Sequence, residues 1–223
     1  MASTTIGLVR QALAGLVNNS AAEATIDPSG AAVVLDFYQK AIMDGYGWQV
    51  RAGTITAPLV GDVAITDTAA EFAIDIANGG TLIPVYQNIS INLGTGTLHE
   101  YATKSVAAAS SSGTAFTLLS LKTGATSTGL ATARVQAAGS VTVTAETATT
   151  TRRHWSYSNP LAIVTAGGGT QADLNWEPLR PPVLVGQTAN SESLYTQIAA
   201  TGTGPSYFAS MDALVIPSAL VGN

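Results

Sequence analysis

Residues 81–93 read TLIPVYQNISINL, and this stretch decides the fold. It is the strongest strand candidate in the chain, because Ile, Val and Tyr suit a pleated, half-buried surface. Pro84 cannot donate a ladder hydrogen bond, so it marks an edge position or a bulge. Asn78-Gly79-Gly80 is a turn signal before it, and Gly94-Thr95-Gly96 closes it. Immediately upstream, Glu71–Ile76 (EFAIDI) alternates polar with apolar and predicts a second strand, with Glu71 and Asp75 on its solvent side.

The same signals recur outward from this pair. Upstream, Trp48–Thr56 alternates and Asp62–Thr66 (DVAIT) is a short apolar run. Residues 33–42 follow Asp27-Pro28-Ser29-Gly30 and suit either a helix or a strand. Thr4–Val17 places Ile6, Val9, Leu13, Leu16 and Val17 at helical spacing, with Ser3 or Thr4 as cap and Asn18-Asn19-Ser20 as stop. This segment reads either as a short helix packed on the domain or as an arm that docks on a neighbouring subunit. Downstream, residues 105–150 are rich in Ala, Ser, Thr and Gly. Ala115–Leu121, Leu130–Ala137 and Ser140–Thr147 still predict strands, with Gly113, Gly124, Gly129 and Gly139 as turns; a flexible linker is the alternative. Leu161–Ala166, Ala172–Trp176, Val183–Val185, Ser193–Ala200 and Tyr207–Ile216 complete a series of about ten short strands. Turns at that spacing predict an all-β, antiparallel sandwich or barrel. The expected organisation is an arm or helix over residues 1–30 and one β-sandwich domain over residues 31–223.

Composition bounds the function. Of the 223 residues, 46% are hydrophobic and only 10% charged, where a soluble domain carries about 25% charge. A lone soluble domain keeps its surface wet with charge; this chain is expected to hide surface in subunit contacts instead. The net charge is −5, with nine Lys and Arg and one adjacent basic pair, Arg152-Arg153. Clustered cations are what displaces counterions from phosphates, so direct nucleic-acid binding is not expected. There are no cysteines, which removes disulfides, thiolate nucleophiles and Cys-ligated metals. No apolar run approaches the ~20 residues that span a bilayer. Met1–Val17 lacks a basic start and carries Arg10, unlike a signal peptide.

Catalytic patterns are sparse. His99 and His154 are the only histidines and have no zinc-ligand spacing, so each reads as a core or interface residue. The chain has no G-x-S-x-G elbow, S-x-x-K or P-loop. Gly94-Thr-Gly96 and Gly202-Thr-Gly204-Pro are read as hairpin turns. Asp62, Asp67, Glu71 and Asp75 form the densest carboxylate group, without EF-hand spacing. No enzyme, cofactor or metal site is expected. The sequons at Asn18 and Asn88 carry little weight without a secretory signal.

Trp48, Trp155 and Trp176, with Tyr157, Tyr195 and Tyr207, supply the large rigid side chains, and the core is the default for two of the three tryptophans. Arg152–Tyr157 (RRHWSY) joins charge to aromatics, so Arg152, Arg153, His154, Trp155 and Tyr157 are the candidate interface, together with Ile6, Val9 and Leu13 of the arm.

In layout the chain resembles viral jelly-roll structural proteins, including the single jelly-roll capsid proteins of tailless icosahedral phages and archaeal viruses. The resemblance rests on the N-terminal segment, on EFAIDIANGGTLIPVYQNISINL (71–93) and on YFASMDALVIPSAL (207–220), about a third of the chain. It implies eight strands in two facing sheets, self-assembly into a shell within a virion, and partners that are copies of the chain and other virion proteins. Fibre, decoration and receptor- or glycan-binding β-sandwich proteins share the Thr/Gly/Ala-rich style and form the alternative. A secreted polysaccharide-active enzyme is the third reading.

Overall fold

The structure, a computed structural model, describes residues 37–54, 56–93, 96–125, 129–136, 139–159, 172–187 and 191–221. The expected helix over Thr4–Val17, the 1–30 arm with Ile6, Val9 and Leu13, and the strand over residues 161–166 lie outside the described residues.

Among the described residues, helix α1 (Phe37–Met43) comes first, settling the ambiguous stretch at 33–42 as helical from Phe37. Eight strands then build the walls. They are β1 (Gly47–Ala52), β2 (Phe72–Ile76), β3 (Gly80–Leu93) and β4 (His99–Val106), followed by β5 (Thr151–Asn159), β6 (Ala172–Trp176), β7 (Glu192–Ala200) and β8 (Ser206–Pro217). One sheet has the order β6-β3-β8-β1, extended by the short strands Leu119–Ser120, Leu184–Val185 and Leu59–Val60. The facing sheet has the order β5-β4-β7-β2, extended by Ala131–Val135 and Thr114–Phe116. Every pairing between these strands is antiparallel, and β1 pairs with β8, β2 with β7, β3 with β6, and β4 with β5. First with last, second with second-last and so on inward is the ladder of one long double ribbon wound around a core. The fold is an all-β, antiparallel sandwich.

The inner faces are mainly apolar, interrupted by a buried polar group in which Thr103 Oγ1 donates to Gln87 Oε1 at 2.7 Å with Thr196 alongside. Trp48 and Val50 of β1, Phe72, Ile74 and Ile76 of β2, Ile89 and Ile91 of β3, Leu194 and Ile198 of β7, and Tyr207 and Met211 of β8 join in one buried cluster. Each such side chain contributes roughly 1.5–3 kcal/mol on burial. Trp48 and Trp176 are core residues and Trp155 is partly buried, as the tryptophan expectation had it. Two further layers cover the outer faces. Helix α1 lays Ala41 against Ile83, Leu214 and Ile216. A small sheet of Ala69–Ala70, Val141–Thr142 and Ser111–Ser112 packs Ala70 and Val141 over Ala73, Val106 and Tyr195.

The structure corrects the reading of Glu71 and Asp75 as solvent-facing: both are buried. Strand β2 is covered on both faces, so alternation there does not mean exposure. Asp75 accepts from Ser110 N at 2.9 Å, from Ser110 Oγ at 2.7 Å and from Ser193 Oγ. Pro84 does mark a bulge, since the β3–β8 register shifts between Asp212 and Ala213, but β3 is an interior strand rather than an edge. Asp62–Thr66 is not a strand; only Asp62 bridges, to Ala199. Nor are the glycine signals after β3 and β7 hairpins, because each links strands of opposite sheets. Residues 114–120 likewise divide, Thr114–Phe116 joining one sheet and Leu119–Ser120 the other.

Candidate assembly surface

Strand β5 carries the five candidate interface residues of RRHWSY and forms one edge of its sheet. Among the described residues no strand pairs with its outer side. Its register against β4 shifts between Arg153 and Trp155, so His154 is an extra residue in a bulge. A bulge re-aims the side chains around it, and here it separates the motif into three groups.

Arg153 pairs with Lys104 across the ladder and turns to the outer face. It lies 3.0 Å from Glu100 and 3.5 Å from Glu146. Lys104, buried beside it, donates to Glu146 at 2.5 Å and to Gln197 Oε1 at 2.6 Å, with Glu100 at 3.6 Å. Partial burial pushes the Glu146 carboxyl up, but its hydrogen bond to Lys104, the Lys104 charge and Arg153 outweigh this and hold it below the usual carboxylate range. Two cations and two anions therefore compensate one another, and Arg153 is occupied within the chain.

Trp155 and Tyr157 face the other way. Trp155 packs against the main core, and Tyr157 sits with its ring 6.2 Å from that of Tyr101 at the exposed margin. Tyr101 continues inward to His99 Nδ1 at 2.9 Å, and His99 Nε2 donates to the Gly96 carbonyl at 3.0 Å. His99 is thus a core histidine tying β4 to the preceding loop.

Arg152 and His154 form the third group. With Glu192 and the segment Pro182–Gln187 they line a cleft of about 350 Å³ at one end of the sandwich. Arg152 bonds Glu192 at 3.0 Å while staying largely exposed. His154 Nε2 lies 2.9 Å from Ser105 Oγ. Burial, then the Arg152 charge, lowers the His154 pKa, so the ring is neutral near pH 7. RRHWSY thus turns its side chains in three directions, with Arg152, Arg153 and Tyr157 exposed and His154 and Trp155 partly buried. Its acidic partners Glu100 and Glu192 were not legible in the sequence, because each is far along the chain and only the sheet register brings it near, whereas Glu146 lies seven residues before Arg153. Exposed apolar side chains sit at both ends of the sandwich, with Val60, Val63 and Leu98 at one and Leu179 and Val183 at the other.

Among the described residues no group of three or more His, Asp or Glu side chains is placed to hold a metal ion. No described helix is long and apolar enough to cross a membrane. Comparison of the chain with protein-family models, with curated proteins and with solved structures finds no match in any of the three.

Proposed function

We propose that this protein is a virion structural protein, a self-assembling shell subunit whose partners are copies of itself and other virion proteins. The observation that carries the reading is the conjunction of a jelly-roll-like strand pairing with a chain that is only 10% charged. Obligate interfaces are more apolar than ordinary surface, and a closed assembly removes that surface from water. The outer side of β5, with which no described strand pairs, and the exposed valines and leucines at the ends of the sandwich add contacts of the kind neighbours bury. A shell role needs no catalytic group, and none of the buried polar clusters is needed for chemistry in this reading: Asp75 with Ser110 and Ser193, and Lys104 with Glu146, both fix strands and loops in place.

Electron microscopy and light scattering of the purified protein test it. Closed particles or large oligomers of uniform size are the expected result, altered or lost when residues 1–20 are deleted. A monomer that persists at high concentration overturns the proposal.

A further inference from the structure

The outer face of the β6-β3-β8-β1 sheet is divided in two. Helix α1 covers the half that bears Ile83, Leu214 and Ile216. The other half is polar across all four strands. Ser90 and Asn88 of β3 and Asn175 of β6 lock together: Asn88 Nδ2 donates to Asn175 Oδ1 at 2.8 Å, Tyr86 Oη donates to the same oxygen at 2.9 Å, and Ser90 Oγ donates to Asn88 Oδ1 at 3.2 Å and to Asp173. The Asn88 carboxamide is thereby fixed in orientation, and one N–H and one lone pair remain unused.

Beside it opens a cleft of about 260 Å³, lined by Arg51, Thr54, Asn88, Phe208 and Ser210 over the backbone of Gly53 and Ala209. Arg51 is exposed and, among the described residues, makes no ion pair; those present involve Lys40, Lys104, Arg152 and Arg153. The nearby Asp212 is engaged by Gln49 at 2.7 Å. An unpaired guanidinium in a chain of net charge −5 is complementary to a carboxylate, which its fork of N–H groups binds in two-point fashion. Around it stand a fixed amide, two hydroxyls and a partly exposed phenyl ring. That combination matches a pyranose: hydroxyls for the amide and the Ser and Thr side chains, and an apolar C–H face for the ring.

We propose that this cleft binds an acidic sugar residue of the uronate type, its carboxylate on Arg51, its ring against Phe208 and its hydroxyls on Asn88, Ser210 and Thr54. The site lies on a sheet face away from the β5 edge, so it stands or falls independently of the shell role.

Titration of the ¹⁵N-labelled or fluorescent full-length protein with sodium D-glucuronate, D-glucose, sodium acetate and a glucuronate-containing tetrasaccharide tests it. Glucuronate is expected to perturb the signals of Arg51, Asn88 and Ser210 and to bind at least tenfold more tightly than glucose or acetate. Arg51→Gln should weaken glucuronate at least tenfold without changing the melting temperature, and Phe208→Leu should weaken it severalfold. Tighter binding of the tetrasaccharide assigns the site to a polymer, and equal binding assigns it to the free sugar; either supports the cleft. Acetate binding as well as glucuronate, equal affinity for glucose, or an Arg51→Gln protein that binds glucuronate unchanged each overturns it. Should Arg51→Gln fail to fold, Ser210→Ala serves instead, with a severalfold loss expected and no loss overturning the proposal.

Discussion

Glu71 shows how a single side chain departs from what its neighbours in sequence suggest. Its carboxylate takes the place of a backbone ladder partner, accepting from Ile198 N at 2.5 Å and from Asp62 N at 3.2 Å. Burial first, and the nearby Asp62 charge second, raise its pKa well above the usual value, against the backbone hydrogen bonds that favour the ion. A raised folded-state pKa means that Glu71 supports the fold fully below the unfolded pKa. That support is lost as pH rises toward the folded pKa, by at most about 1.4 kcal/mol per pH unit. Glu71→Gln should therefore flatten the fall in melting temperature as pH rises above the unfolded carboxylate range of about pH 4 to 5, even though it loses one acceptor and is less stable at the acid end. Parallel curves for the two proteins would exclude the assignment. Lys104 makes the complementary case. Lys104→Met leaves Glu146 and Glu100 with Arg153 alone, and urea denaturation should show a loss of about 2–3 kcal/mol. Adding Glu146→Gln should recover part of it, because the unpaired charge is then gone. Neither role is visible in EFAIDI or HEYATKSV, since alternation reports which face a residue occupies and not whether that face is covered.

At the scale of elements, the long strands were legible and the crossings between sheets were not. Residues 81–93, 193–200 and 207–216 fall within β3, β7 and β8 because length, β-branched content and flanking glycines agree there. Among the described residues the segment 107–150 makes only pieces of two to five residues, divided among the two large sheets and the small third one. Its small side chains give no strong periodicity, and backbone pairing with distant strands decides its path. The connection from β7 to β8 shows the physical demand of such a crossing. A Cβ at Gly204 would lie 1.8 Å from the Gly61 carbonyl oxygen, and the partly buried Asp62 strap is bonded just beyond, its N–H to Ile198 O at 3.1 Å. Gly204→Ala is expected to cost about 2–4 kcal/mol in thermal or urea unfolding, as overpacking against rigid backbone does. Gly79, at φ +80 with nothing near its Cβ position, should cost only about 1 kcal/mol when changed to Ala, through the left-handed backbone alone. Equal losses at the two sites would contradict the close approach.

For the molecule as a whole, the scarcity of charge and the outer side of β5 bear on one question: what covers this surface in solution. Among the described residues part of this small complement of charge is paired within the chain, Lys104 and Arg153 with Glu100 and Glu146, Arg152 with Glu192, and Lys40 with Asp44. If copies meet through the β5 edge and the apolar ends of the sandwich, the contacts are backbone hydrogen bonds and buried methyl groups, which salt does not screen. Assembly should then persist or strengthen as sodium sulfate is added, and the melting temperature should rise with protein concentration, since association stabilises the folded chain by mass action. Ser156 is exposed and paired only to Ala102 of β4. Ser156→Lys places a cation on the edge strand, the device by which natural sheets refuse a further strand. It should leave the stability of the isolated subunit within about 0.5 kcal/mol while reducing particle size in light scattering. A variant that assembles as the parent does would move the contact away from β5, to the ends of the sandwich where Val63 and Val183 are exposed. Val63→Asp and Val183→Asp would then be the substitutions that dissolve the particles.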